Sequence, residues 1–189
     1  MTAQHIAIFA SGSGTNAQRI IEYFAENERI KVTCLLSNNS KAYALVRAAS
    51  LGVETMVFSR DELHANSCVI DYLLERKTDL IVLAGFLWLI PKSLIDRFTI
   101  VNIHPALLPK YGGKNMYGNF VHEAVIRNGE KQSGITIHYV NEHYDEGAVV
   151  FQAQCEVKSD DTPDTLAARI HQLEYQHYPR IIEQILTSM

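Results

Sequence analysis

Asn102 and His104, two residues apart, stand directly before Pro105 in the run Asn-Ile-His-Pro-Ala-Leu-Leu-Pro at 102–109. The apolar residues before them read as a buried strand over 98–103, so the two side chains share one side of an extended backbone and Pro105 stops the strand beside them. A carboxamide donor next to an imidazole proton carrier suits a reaction in which an oxyanion forms on a carbonyl carbon while a proton moves, as in acyl transfer. The same pair could also do no more than cap a strand end. Asp145, in the polar turn 142–147, is the carboxylate available to orient His104 and, as an opposite charge, to favour its protonated form. His138, inside a strand pattern, and His143, in a turn, are the competing imidazoles, and His104 is preferred to both. No His-x-x-x-His or His-x-x-Glu-His pair accompanies a third ligand, so no metal is expected.

A second constellation lies at Ser11-Gly12-Ser13-Gly14-Thr15-Asn16. Gly12 and Gly14 let the backbone approach a ligand closely, Ser13, Thr15 and Asn16 offer polar partners, and a following helix offers free N–H groups. The pattern suits an anion, most simply a phosphate monoester, or a plain tight turn. The next strand ends in Ser37-Asn38-Asn39 without the acid that binds an NAD ribose, and the loop lacks a Walker lysine. The apolar segment Leu87, Trp88, Leu89 and Ile90 either packs in the core, the favoured reading, or walls a pocket for a flat aromatic molecule.

The elements that must position these residues alternate along the first hundred positions. Apolar runs at 5–10, 31–37, 53–58 and 79–85 read as strands, and 16–26, 41–51 and 60–76 carry apolar residues at helical spacing. This is an α/β pattern that predicts a doubly wound, mostly parallel sheet. Beyond residue 102 a helix is expected over 119–127, then strands over 134–140 and 148–157 joined by a polar turn, adding mixed or antiparallel strands in the C-terminal half. A last helix starts well, with Thr162 as N-cap, Pro163 at the first position and Asp164 at the positive end of the dipole, and Pro179 is expected to kink or interrupt it.

At 189 residues, 47% hydrophobic and 20% charged, the chain suits one soluble domain. A net charge of -4 argues against a nucleic-acid surface. No apolar run approaches the roughly 18 residues that span a bilayer and the first residues lack signal-peptide character, so a cytoplasmic protein without membrane partners is expected. Cys34, Cys68 and Cys155 read as reduced, structural thiols.

With these pieces in this order, the sequence resembles the folate-dependent phosphoribosylglycinamide formyltransferases over essentially its whole length. The resemblance is carried by Gly-Ser-Gly-Thr-Asn at 12–16, Leu-Ala-Gly-Phe at 83–86, the run at 102–109 and Asp145 to Gly147. It implies a Rossmann-like formyltransferase fold as a single domain over 1–189, with a phosphate-binding half at 1–100 and a catalytic and folate-binding half at 101–189. It implies transfer of a formyl group from 10-formyltetrahydrofolate to the amine of glycinamide ribonucleotide in purine biosynthesis, by a monomer or homodimer. By the resemblance, Asn102, His104 and Asp145 are catalytic. Gly12, Gly14, Thr15 and Asn16 hold the phosphate side, and His171, Gln172, Leu173 and Glu174 contact the ribonucleotide. Arg60, Leu87, Trp88, Leu89, Ile90, Asn102, Asn141, Glu142, His143, Tyr144 and Asp145 line the folate site.

Three departures stand out. Trp88 replaces an arginine common in the family's folate segment, Tyr175 follows Glu174 where the family has histidine, and the Gly-rich loop 112–118 is longer and could act as a lid. The alternatives are a 10-formyltetrahydrofolate hydrolase, whose family resemblance includes an N-terminal regulatory domain, and a non-catalytic phosphate-binding module. A methionyl-tRNA formyltransferase would call for an RNA-contacting domain and positive charge.

Overall fold

Alternate residues of the first strand, β1 (Gln4–Phe9), enter different cores: Ile6 and Ile8 pack on one face of the sheet, Ala7 and Phe9 on the other. A strand apolar on both sides belongs inside a sheet covered on both faces. The structure, a computed structural model, describes residues 3–65 and 67–189. In chain order the remaining elements are α1 (Thr15–Phe24), β2 (Ile30–Ser37), α2 (Tyr43–Ser50), β3 (Glu54–Val57), α3 (Arg60–His64), α4 (Cys68–Glu75), β4 (Leu80–Leu83), α5 (Lys92–Ile95), β5 (Thr99–His104), α6 (Asn119–Arg127), β6 (Gln132–Tyr139), β7 (Val149–Glu156) and α7 (Pro163–Thr187). Buried residues of α1, α2, α6 and α7 share one core with Ile6 and Ile8, and those of α3, α4 and α5 share the other with Phe9.

The strands form one seven-stranded sheet in the order β3-β2-β1-β4-β5-β6-β7. The pairs from β3 to β5 are parallel, and β6 and β7 add antiparallel. The doubly wound sheet and its mixed second half therefore match the sequence pattern. Strands are added to one side of β1 through β2 and β3 and to its other side from β4 onward, and this switch opens a crevice at the carboxyl ends of β1 and β4 where ligands of such folds bind.

Two expectations need correction. The helix expected over 60–76 is two helices, α3 and α4. A capping box starts α3, in which Ser59 Oγ accepts from the Glu62 amide at 3.3 Å and Glu62 Oε2 accepts from the Ser59 amide at 2.7 Å. Its C-cap is Ala65 and the N-cap of α4 is Ser67, whose hydroxyl donates to the Asp71 carboxylate and caps no backbone amide; Asn66 lies outside the described residues. Nor does Pro179 interrupt the last helix, which is continuous from Pro163 to Thr187. The hydrogen bond that proline removes is offset by packing, since Tyr178, Pro179, Ile181 and Ile182 are all buried. The helix opens as expected on a Thr162 cap, with Pro163 at its first position. The hydroxyl of Tyr178, fully buried, donates to the carbonyls of Leu83 at 2.9 Å and Val101 at 3.2 Å, seating α7 on β4 and β5.

Candidate active site

A cavity of about 430 Å³ opens at the switch point, bordered by the loops after β1, β4 and β5. Its size lies in the range of small-molecule sites. Ser11 ties the first two loops together: its amide donates to the Gly85 carbonyl at 3.0 Å, and its hydroxyl accepts from the Leu87 amide at 3.0 Å while donating to Asn38 at 2.7 Å. Gly14 caps α1 with φ of 75°, and a Cβ there would lie 2.5 Å from Ala44 Cα. Only glycine meets both demands, and no side chain caps the helix, so its first N–H groups face the cavity end lined by Gly12, Gly14, Thr15 and Asn16.

Asn102 and His104 sit at the carboxyl end of β5, which ends at His104 as Pro105 requires. His104 is 3% exposed. Its Nε2–H is given to the Tyr111 carbonyl at 2.7 Å, and its Nδ1 lies 3.4 Å from Asp145 Oδ2. Asp145, at φ of 57°, also accepts the Gly113 amide on Oδ2 at 2.9 Å, so the Gly-rich loop closes directly on this carboxylate. A Cβ on Gly112 would lie 3.2 Å from Asp145 Cβ.

His138, set aside on sequence grounds, belongs to the same cluster. It lies opposite Asn102 in the pairing of β5 with β6. Its Nδ1 is 2.9 Å from the Tyr139 carbonyl, which makes that nitrogen the donor and leaves Nε2 to accept from Asn102 Nδ2 at 3.1 Å. Asp145 Oδ1 lies 3.4 Å from Asn102 Nδ2 and 3.5 Å from His138 Nε2. The only signal in the sequence was the alternation of the 134–140 strand, which does not reveal its pairing partner.

The electrostatics correct one expectation. Burial pushes the His104 pKa below the ordinary imidazole value and outweighs the upward pull of Asp145 and of the Tyr111 carbonyl. The resting ring is therefore uncharged near neutral pH, not held protonated by Asp145. Burial works against the charge of Asp145 as well, but the neighbouring His138 and His104 rings and the Gly113 amide together bring its pKa below the usual carboxylate value.

At the cavity end beside α1, Glu174 is 4% exposed. Its Oε2 accepts from Asn16 Nδ2 at 2.9 Å and pairs with His171 Nδ1 at 2.8 Å. That carboxylate raises the His171 pKa, so this imidazole is the more readily charged one. Gln172 is exposed and Leu173 packs against the core, and neither borders the cavity.

On the opposite wall, Leu87, Trp88, Leu89, Ile90, His143 and Tyr144 line the cavity. Trp88 both packs in the core and walls the cavity, with ring contacts to Phe58 at 6.2 Å and Phe86 at 6.4 Å. Arg60 reaches this wall indirectly, its guanidinium stacked 5.1 Å over the Trp88 ring. Asn141 and Glu142 lie outside the lining; Asn141 Oδ1 accepts from the His143 amide at 2.9 Å and so shapes the turn leading to Asp145. Among the described residues no group of three or more His, Cys, Asp or Glu is arranged to hold a metal ion, and no helix is long and apolar enough to cross a membrane.

A parallel α/β sheet with an Asn-x-His strand end facing an Asp-bearing turn across one cavity defines a class, and the family model for formyl transferases matches residues 4–182: the chain belongs to the formyl transferase family. Within it, the chain is 39% identical over 185 residues to the phosphoribosylglycinamide formyltransferase of Haemophilus influenzae, covering 94% of this chain and 85% of that one. It is 37% identical to the chloroplastic phosphoribosylglycinamide formyltransferase of Arabidopsis thaliana, covering 95% of this chain and 64% of that longer one. The crystal structure of phosphoribosylglycinamide formyltransferase from Anaplasma phagocytophilum superposes with a TM-score of 0.89 at 32% identity, covering 99% of this chain and 89% of that chain.

Proposed function

We propose that this protein transfers the formyl group of 10-formyltetrahydrofolate to the amine of glycinamide ribonucleotide, yielding formylglycinamide ribonucleotide and tetrahydrofolate in purine biosynthesis. The observation that carries this reading is one cavity holding an anion-ready helix N-terminus at one end, the Asn102, His104 and Asp145 cluster in the middle, and an aromatic and aliphatic wall at the other. A phosphate at α1, a ribonucleotide beside Glu174 and His171, and a pterin against Leu87 to Ile90 would bring amine and formyl carbon together at His104. The substrates are soluble small molecules, as suits a cytoplasmic enzyme.

Asn102 and His104 supply the donors for the oxyanion that forms when the amine adds to the formyl carbon. Both are engaged within the resting protein. The 3.4 Å contact from Asn102 Nδ2 to Asp145 is long, so one N–H turns to substrate at little cost while the shorter bond to His138 holds the amide. His104 Nε2–H is bonded to a carbonyl of the Gly-rich loop, so a shift of that loop releases it. His104 acts as the imidazolium, its second proton on Nδ1 facing the Asp145 carboxylate 3.4 Å away: Nε2–H passes its proton to the leaving nitrogen, and Nε2 then takes up the proton that the attacking nitrogen loses. No covalent enzyme intermediate is needed.

The test is tetrahydrofolate formation from 10-formyltetrahydrofolate by the purified protein, with and without the ribonucleotide, beside His104→Ala. Product that needs both the ribonucleotide and His104 supports the transferase. Release without ribonucleotide indicates a hydrolase, and no release indicates a binding module; either refutes the proposal.

A further inference from the structure

A buried imidazole on the cavity wall is left unused by the chemistry above. His122 lies on α6, borders the cavity and is only 1% exposed. Its neighbours Val121 and Val125 enter the core shared with α7, which fixes the ring in place. Buried polar groups are normally paired, yet Nδ1 is buried without a hydrogen-bond partner, and neither ring nitrogen bonds to a described residue. The other three histidines of the central cluster and the phosphate end are all committed: His104 to Tyr111, His138 to Tyr139 and Asn102, and His171 to Glu174.

The position of His122 says which part of a substrate it would meet. It lines the same cavity as His171, Glu174 and His104, near enough to all three to feel their charges. Burial pushes its pKa down to about 4, so near neutral pH the ring is an uncharged donor and acceptor. That chemistry matches an amide. His171, whose pKa Glu174 raises, is the imidazole suited to an anion.

We propose that His122 is a specificity residue that hydrogen-bonds the amide of the glycinamide arm, the part of the ribonucleotide that joins ribose to the reacting amine. This rests on the transferase reading and goes beyond it by naming a contact for that arm. Pairing the ring nitrogen only when the amide is present makes the ribonucleotide the partner that completes the wall. An acceptor with no amide at this place leaves a buried polar group unpaired and is disfavoured.

The experiment is steady-state kinetics of the unaltered protein, His122→Phe, which fills the space without hydrogen bonds, and His122→Gln, which keeps an uncharged donor and acceptor. The expected result for His122→Phe is a KM for the ribonucleotide raised about tenfold with the KM for 10-formyltetrahydrofolate within about twofold, and for His122→Gln partial recovery. If His122→Phe fails to fold, His122→Leu replaces it under the same criteria. A ribonucleotide KM unmoved by the apolar variant overturns the inference alone. Both KM values rising together point to a structural role and overturn it too. Turnover by the unaltered protein that does not depend on the ribonucleotide removes the transferase reading, and the inference with it.

Discussion

Asn102 Nδ2 lies 3.1 Å from His138 Nε2, a contact made possible because β6 runs antiparallel to β5 with these two residues directly opposite. The amide is held by a strand whose sequence lies more than thirty residues away. Removing Asn102 or His104 takes away an oxyanion donor, so Asn102→Ala and His104→Ala are expected to lower turnover by about 10²–10³ with little change in thermal stability. His138→Phe releases the amide from its partner and removes a neighbour of Asp145 but leaves the oxyanion donors in place, so it should cost less, about tenfold, with the KM for the ribonucleotide preserved. Stopped-flow or steady-state turnover beside melting curves checks this ordering; near-normal turnover for both alanine variants sinks the assignment.

The pairing of Asp145 with His104 has a defined sign. Asp145 pulls the His104 pKa up against burial, so Asp145→Asn should lower it further. A proton NMR titration of the His104 ring, assigned with the His104→Ala variant, is expected to show a midpoint at lower pH in Asp145→Asn than in the unaltered protein. An unmoved or higher midpoint would mean that the carboxylate does not act on the ring.

Acid stability should report His122. Its folded pKa of about 4 lies below its ordinary 6.5, so the unfolded chain takes up the proton first as pH falls. Its share of stability is intact above pH ~6.5 and declines toward pH ~4, by an amount on the order of 3 kcal/mol. His104, also shifted down, adds in the same direction, whereas His171, shifted up, contributes stability that is present at low pH and lost as pH rises. Urea midpoints measured between pH 7 and 4 should fall less steeply in His122→Gln than in the unaltered protein; equal slopes would count against this origin.

Gly14→Ala tests the proposed phosphate end. With φ of 75° and a new Cβ 2.5 Å from Ala44 Cα, the substitution is expected to destabilise the fold by about 1–3 kcal/mol and to raise the KM for the ribonucleotide more than that for the folate. Gly12→Ala, where a Cβ meets no atom within 4 Å, serves as the control and should leave melting temperature nearly unchanged.

Much of this was legible in the residues. Runs of β-branched and aliphatic residues marked every strand of the sheet, and the helix at 119–127 appears with the bounds its periodicity suggested. The Asn102, His104 and Asp145 grouping could be read because two of its members share one strand. His138 could not, because strand pairing is a long-range choice that alternation does not encode. The charge state of His104 was misjudged since a sequence lists an opposite charge but not the desolvation that outweighs it. The intact helix through Pro179 reflects tertiary burial overriding a local preference, and the division into α3 and α4 escapes helical spacing, which runs on through both.

Tyr178 locks the last helix onto carbonyls of two interior strands, and the same helix brings Glu174 and His171 to the cavity. Every strand of the sheet precedes this helix in chain order, so the Asn-x-His strand end is synthesised before the cavity end that bears Glu174 and His171. Among the residues that line the cavity, His171 and Glu174 are thus the last to be synthesised, and its wall is completed only when α7 docks.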